Sequence, residues 1–387
     1  MVAQTALDEN SAGGKEDLSG GMDYSALYHH LTNIHAGLPY RWGGGFALPP
    51  MHVYLEVTYR CNLRCLMCPY RELGTVPGSA ADELSTTEIK GVVDQLGPWT
   101  LITFTGGEPL IRHDMAEIVA HAARRHRCHL ITNGVLLNES TAQLIVACGP
   151  RHVLRPGLLV VMVSLEGPED LHDQIVEQKG AYRKTLEGIA RLRKARESMK
   201  KRHPMLGSTT VITRRNVEHL AFMVDRAEEM GLDICNFTLF NPFRLDASRT
   251  EPMGGGAKKL DTSETIPGEL LRKQHSEVME RARHYRVRVR FAQPGFPLEE
   301  IVKHYGNRLD LSHYVCRSPW SRMIITARGD VIPCFGSSLG NVREERVQRI
   351  WNGQGFRRFR RQLRAKKVFE DCMGCCMLEY SDKDDGQ

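Results

Sequence analysis

Between residues 51 and about 241 the sequence alternates short strand-like runs with helical stretches, and no other feature restricts the fold as much. The runs at 51–58, 101–105, 129–132, 158–165, 208–212 and 234–240 read as strands. One helix opens at the capping box Ser85-Thr-Thr-Glu88, and others cover about 113–125, 138–148, 181–199 and 217–230. Six strand-then-helix units imply an α/β protein with a parallel sheet, either flat or curled into a barrel. Further on, 246–266 is polar and Gly-rich and reads as a loop or insertion. A helix over about 268–284, a strand at 287–291 and an irregular stretch at 292–315 follow. The tail from Cys316 reads as a short hairpin (MIITARGDVIPC), a helix and a last group of cysteines.

The 387 residues are 41% apolar and 25% charged, ordinary values for a chain that buries a sizeable core. The net charge of +6 suits an acidic protein partner or an anionic substrate and is too small to argue for nucleic acid. No segment has the roughly 18 consecutive apolar residues of a membrane helix. The first 22 residues lack the basic-then-apolar order of a signal peptide and read as a disordered tail of about 20 residues. These features predict a cytoplasmic protein with no membrane partner. Eleven cysteines in a reducing compartment point to metal or redox chemistry rather than disulfides, and eight of them sit in two regions far apart in the chain.

The first region is CNLRCLMCPY, with Cys61, Cys65 and Cys68 spaced C-x3-C-x2-C and no fourth cysteine beside them. Three thiolates on a four-iron cluster leave one iron open to a chelating substrate, and an amino acid's α-amino and α-carboxylate groups suit such a site. The competing reading is a zinc site completed by a remote His or Cys. The motif resembles the signature of the radical S-adenosylmethionine (SAM) superfamily. Thr105-Gly-Gly-Glu-Pro109 closes the second strand where that family carries its GGEP motif, and the resemblance implies SAM contacts by Gly106, Gly107 and Glu108. Asn133, in Thr132-Asn133-Gly134, ends the third strand as in many relatives. The block SLEGPEDLHD (164–173) makes Ser164 and Glu166 candidates to contact the SAM ribose or the substrate. Here Glu166 stands where many relatives have Asp, and Val176-Glu177 replaces an Arg common after the HD pair. Val211–Thr213 with Asn216 matches the fifth-strand region.

In the tail, Cys316, Gly329, Cys334, Cys372 and Cys375 form a C…G-x4-C…C-x2-C arrangement. It resembles the shortened SPASM module called a twitch domain. The resemblance implies one auxiliary [4Fe–4S] cluster on Cys316, Cys334, Cys372 and Cys375, with Cys376 as an alternate ligand or a bystander. The expected architecture is therefore a partial (β/α)6 TIM-like barrel with a C-terminal twitch domain. Its divisions are an N-terminal extension over 1–50, a core over 51–245, an insertion, helix and linker over 246–312, and the auxiliary domain over 313–387.

The resemblance implies that a 5′-deoxyadenosyl radical abstracts hydrogen from an unactivated carbon. A fully ligated second cluster then suits a two-electron oxidation of a secondary alcohol to a ketone, with Glu166 or Asp173 taking the proton. Epimerisation is the alternative, with a cysteine returning the hydrogen. Cys235 is the best-placed donor, although strand alternation groups it with Phe237 and Leu239 and sets Asn236 and Thr238 on the other face. Cys128 and Cys148 read as structural. CLMCP, the single auxiliary cluster and the short segment before the first strand favour a small sugar- or aminocyclitol-like substrate of antibiotic biosynthesis. Ribosomal-peptide maturation comes second, and a zinc-binding protein is the non-enzymatic alternative. The run FRRFRRQLRAKK (356–367) reads first as an amphipathic helix docked on the core, then as a patch for an acidic flavodoxin or ferredoxin, and last as an RNA-binding surface.

Overall fold

A computed structural model of the chain describes residues 24–71, 82–241, 262–292, 296–334, 338–372, 375 and 377–381. The expected disordered start, most of the 246–266 loop and Cys376 lie outside the described residues.

Six strands, β1 (His52–Thr58), β2 (Leu101–Gly106), β3 (Arg127–Thr132), β4 (Gly157–Ser164), β5 (Met205–Ile212) and β6 (Ile234–Leu239), lie side by side and all parallel. Between them run α2 (Thr86–Asp94), α3 (Met115–Ala123), α4 (Glu139–Ala147), α6 (Ala181–Ser198) and α7 (Leu220–Glu229). A seventh strand, β7 (Arg288–Phe291), follows α8 (Gly268–His284) and adds to β6 in parallel. This is the partial barrel expected, one parallel strand wider.

The period of two along each strand explains the layers. Leu55, Phe104, Leu130, Val163 and Phe237 share one core cluster with Ile89 of α2, Val119 of α3, Val146 of α4, Leu192 of α6 and Val224 of α7. Their neighbours His52, Tyr54, Glu56, Thr103, His129, Ser164, Asn236 and Arg290 occupy the opposite face, which becomes the lumen when a sheet of this kind curls. Cys235 belongs to the helix-facing set and is fully buried there.

The tail is part of the same sheet. Its hairpin, β9 (Arg322–Ile325) and β10 (Val331–Ile332), lies on the free edge of β1, with β9 parallel to β1 from His52↔Arg322 to Leu55↔Ile325. Gly329 turns the hairpin at φ +88°, a conformation that favours glycine. The nine strands run β10-β9-β1-β2-β3-β4-β5-β6-β7, so the row ends at β10 and β7 and does not close. A second small sheet pairs β8 (Tyr314–Val315) with β11 (Glu379–Tyr380). Two short helices, α10 (Val347–Trp351) and α11 (Gln354–Lys366), complete the tail.

Two stretches differ from the sequence reading. The N-terminal extension contains a 19-residue helix, α1 (Tyr24–Trp42), whose Tyr28 hydroxyl donates to Met51 O at 2.8 Å just below β1. The 292–315 stretch, read as irregular, contains α9 (Leu298–Tyr305), eight residues long and too short for its periodicity to register against the flanking polar residues. The Tyr305 hydroxyl donates to Ile212 O at 2.7 Å and accepts from Phe240 N at 3.0 Å, tying the ends of β5 and β6 together.

At the end of β2 the chain passes very close to the end of β1. Gly107 N donates to Thr58 O at 2.7 Å, Glu108 N donates to Arg60 O at 2.9 Å, and a Cβ on Gly107 would lie 2.3 Å from Arg60 O. The side-chain-free position therefore serves the approach of two backbones. Gly107→Ala should cost about 1–3 kcal/mol in urea unfolding through overpacking. Gly37→Ala, inside α1 with nothing within 4 Å of the added carbon, should stabilise by roughly 0.5–1 kcal/mol through helix propensity.

Candidate active site at the carboxyl ends of the strands

The loop that carries Cys61, Cys65 and Cys68 leaves β1 directly, and four acidic residues fix its surroundings. Glu83 accepts from the Thr58 hydroxyl at 2.6 Å and from Tyr59 N at 3.0 Å, and it pairs with Arg60 at 3.1 Å. Glu177 pairs with Arg71 at 2.8 Å, while Leu66 N and Arg64 N donate to Ile175 O and Val176 O at the end of α5 (Glu169–Ile175). The Val176-Glu177 departure thus holds the cysteine loop against α5. Glu83 belongs to no motif, so pattern reading gave no signal for it, and Glu177 showed only as a departure from the family pattern after the HD pair.

Glu108 is 1% exposed, and its carboxylate accepts from Leu110 N, the Thr132 hydroxyl and Asn133 N at 2.9, 2.7 and 2.6 Å. It locks the end of β3 to the end of β2. The Asn133 side-chain amide then donates to Asn62 Oδ1 at 2.9 Å and lies 3.9 Å from Cys61 Sγ. Glu108, Asn133 and the cysteine loop therefore form one connected unit. Burial raises the Glu108 carboxyl above its ordinary value, against the pull of those three donors.

The residues present fit the cluster that three loop cysteines would hold. All three come from one loop eight residues long, and Cys61 Sγ accepts from Leu63 N at 3.4 Å. Burial pushes the Cys61 thiol up to about 11, and its neighbours Glu108 and Cys68 push the same way. Metal coordination would relieve this crowding of latent negative charge.

The fourth acid is Glu166. It is 3% exposed, accepts from Val211 N at 3.0 Å, and is pushed up to about 8 by burial. Its charge is felt by Cys65. Its backbone is held from both sides: Glu166 N donates to His172 Nδ1 at 3.1 Å and Asn216 Nδ2 donates to Glu166 O at 3.0 Å. Asp173 does something different. Its carboxylate accepts from Gly180 N at 2.5 Å and Tyr182 N at 2.8 Å, anchoring the start of α6. Cys235 turns its thiol to Met223 O on α7 at 3.9 Å, away from the lumen, and burial pushes it up to about 12.

The lumen is strongly polar. Ser164, Thr209, Asn236 and Arg290 are successive partners across β4, β5, β6 and β7, a row of four polar side chains on adjacent strands. His129 on β3 is lowered to about 4 by burial and by the Arg290 charge. His52 meets the Thr103 hydroxyl at 2.8 Å. On β1, Glu56 accepts from the Tyr70 hydroxyl at 2.6 Å and is pushed up to about 7 by burial. Sequence reading did not single out Glu56 or Tyr70; an acid inside an apolar strand, at the alternate position to Leu55 and Val57, is the signal that was there.

The second cysteine set lies in the tail. Cys316 and Cys372 are buried, and burial pushes the Cys316 thiol up to about 12, with Cys372 adding to the rise. Cys375 N donates to Cys372 O at 2.9 Å, and Cys375 Sγ accepts from Met377 N at 3.4 Å. The flanking strands β8 and β11 are tied by Arg317–Glu379 at 3.0 Å. An all-sulfur donor set of this kind is the chemistry that holds a four-iron cluster.

Comparisons agree with this layout. The profile of the radical SAM superfamily matches residues 55–238, and that of the SPASM iron–sulfur cluster-binding domain matches 316–376. The chain is 26% identical over 343 residues to a PqqA peptide cyclase of Xanthomonas campestris pv. campestris, covering 84% of this chain and 79% of the relative. It is 28% identical over 353 residues to an AdoMet-dependent heme synthase of Methanosarcina barkeri, covering 86% and 93%. The crystal structure of Streptococcus suis SuiB bound to S-adenosylmethionine shares the fold with a TM-score of 0.60 at 15% identity, over 89% of this chain and 76% of that one. Replacing Cys61, Cys65 and Cys68 together by Ala should lower the iron of the anaerobically reconstituted protein from about eight to about four atoms per chain, the content of one remaining four-iron cluster.

Proposed function

We propose, for a chain that belongs to the radical SAM superfamily and carries a C-terminal SPASM-type iron–sulfur domain, the oxidative maturation of a ribosomally made peptide. A cluster with SAM at the Cys61–Cys65–Cys68 loop supplies hydrogen-atom abstraction from an unactivated carbon. The remaining roles fall to the chain itself. Gly106, Gly107, Glu108 and Asn133 hold the loop and its cofactor in register, and Ser164 faces them across the lumen. Glu166 takes the proton that leaves with the second electron. Cys316, Cys334, Cys372 and Cys375 would hold a second cluster, which would supply an acceptor for that electron, and a flavodoxin or ferredoxin would be the source of the first one.

The observation that carries the oxidative reading is the double use of β1. Its carboxyl end bears the first cysteine set, and its free edge bears the β9–β10 hairpin that leads to Cys334. The reading draws support from this closeness of the two cysteine-bearing segments to one strand. The peptide substrate is supported by the likeness to PqqA peptide cyclases. A second reading is oxidation of a secondary alcohol on a sugar- or aminocyclitol-like molecule, favoured by the polar row Ser164, Thr209, Asn236 and Arg290. Epimerisation with Cys235 as hydrogen donor has less support, since that thiol faces α7.

The test is anaerobic incubation of the reconstituted enzyme with SAM, a reductant and a panel of short ribosomally encoded peptides. The expected product has lost two hydrogen atoms by mass spectrometry. An unchanged peptide together with an oxidised sugar or aminocyclitol from a panel would move the substrate to the second reading. With Glu166 as base, only its carboxylate form is competent, so kcat should rise with pH through about 8 and then level. Glu166→Gln should lose that limb and most of the rate, whereas Asp173→Asn should act through the stability of α6 and leave the pH profile in place.

A further inference from the structure

The tail is anchored on the rest of the chain at more than one place. Its basic run forms α11, whose Phe356, Phe359 and Leu363 are buried in the core cluster as an amphipathic helix requires. A second anchorage, around Arg343, reaches toward the first cysteine loop. Arg343 Nε donates to the Glu88 carboxylate at 2.6 Å, and its two Nη atoms donate to Asp82 O at 3.1 Å and Glu83 O at 3.2 Å. The guanidinium thus grips two backbone carbonyls and one side chain of a single short segment, 82–88, which runs into α2. An exposed ion pair adds little by itself, but a planar fork shared among several acceptors fixes the place of what it holds.

The turn of the β9–β10 hairpin holds the same segment. Leu84 N donates to Ala327 O at 2.7 Å, and a Cβ on Gly329 would lie 3.2 Å from Leu84 Cδ2. The exit of β1 holds it as well. Glu83 accepts from the Thr58 hydroxyl and Tyr59 N and pairs with Arg60, while Arg112 Nη1 donates to Val57 O at 3.1 Å and to Leu84 O at 3.0 Å. The hairpin turn also meets the loop directly. Tyr59, two residues before Cys61, clusters with Ala327 and Tyr70, and the Arg328 guanidinium lies 5.9 Å from the Tyr59 ring centre. One segment, bonded to both, therefore joins the tail to the start of the first cysteine loop.

We propose that Arg343 and Glu83 are positioning residues for the Cys61–Cys65–Cys68 loop, so that the tail sets, through segment 82–88, how tightly a cluster on that loop takes up SAM. Arg343 fixes the segment, and Glu83 passes its position to Thr58, Tyr59 and Arg60. The cysteine loop begins at the next residue. Groups that orient metal ligands from behind change binding at the metal although they do not touch it, because a ligand slightly out of place loses its best geometry. The role is separate from the reaction proposed above and is the same for a peptide or a sugar-like substrate.

The test uses the full chain reconstituted anaerobically with iron and sulfide. SAM is titrated into the reduced protein, its binding is followed by the change in the cluster's electron paramagnetic resonance spectrum, and iron is counted on the same samples. Arg343→Ala and Glu83→Ala should each weaken SAM binding at least about fivefold while iron stays at about eight atoms per chain. The double variant should bind SAM within about twofold of the weaker single variant, since both residues act along one path. Glu83→Gln keeps an acceptor for Thr58 and Tyr59 and should recover most of the affinity. Arg272→Ala removes a paired arginine of similar exposure on α8 and should leave SAM binding unchanged. Wild-type SAM affinity in both single variants would overturn the proposal, as would a double-variant loss equal to the product of the single losses. So would Glu83→Gln binding as weakly as Glu83→Ala, an equal loss in Arg272→Ala, or a loss of SAM binding matched by an equal loss of iron, which would mean that the loop had merely collapsed.

Discussion

Strand β1 is hydrogen-bonded along both edges, to β2 on one side and to β9 on the other, and much of the molecule takes its place from that pairing. A central parallel strand has no spare donors or acceptors, so its height and tilt are fixed by its neighbours. The cysteine loop inherits that position because it leaves β1 without an intervening turn. Ends of β1 and β2 then interlock through Thr58, Arg60 and Gly107, which sets the loop against the next strand. The β9–β10 hairpin that leads to Cys334 inherits the same frame, whereas Cys316 and Cys375 flank the separate β8–β11 sheet.

Around this frame the acids divide by environment. Glu83 and Glu108 each accept several donors, backbone N–H groups among them, and Glu177 pairs with the Arg71 side chain. Glu56 and Glu166 face the interior with fewer donors, and burial raises them to about 7 and about 8. A carboxyl in that range can hold or release a proton near neutral pH.

Much of this could be read from the residues alone. Strand–helix alternation gave the parallel sheet, because period two and period 3.6 are distinct over runs of this length, and Ser85 with Glu88 marked the start of α2 as a capping box. The cysteine spacings pointed to the two domains whose family models match, the first at 55–238 and the second at 316–376. The assignment of Cys235 to the helix-facing side followed from alternation and agrees with its burial. What stayed hidden depends on tertiary approach. Nothing local marks Arg322 as the partner of His52, or Glu177 as the anchor of Arg71, or Tyr305 as the tie between β5 and β6. The helix α9 was hidden for a simpler reason: at eight residues it spans barely two turns.

The pairing of β1 with β9 also bears on how the protein is made. During synthesis the ribosome delivers β1 early and β9 near the end, so the nascent barrel carries an open edge on its most important strand for most of translation. Open edges recruit other chains. Crowded expression should therefore favour aggregation before the tail emerges, and truncation after β7 should leave a core that is sticky as well as short of its second cluster.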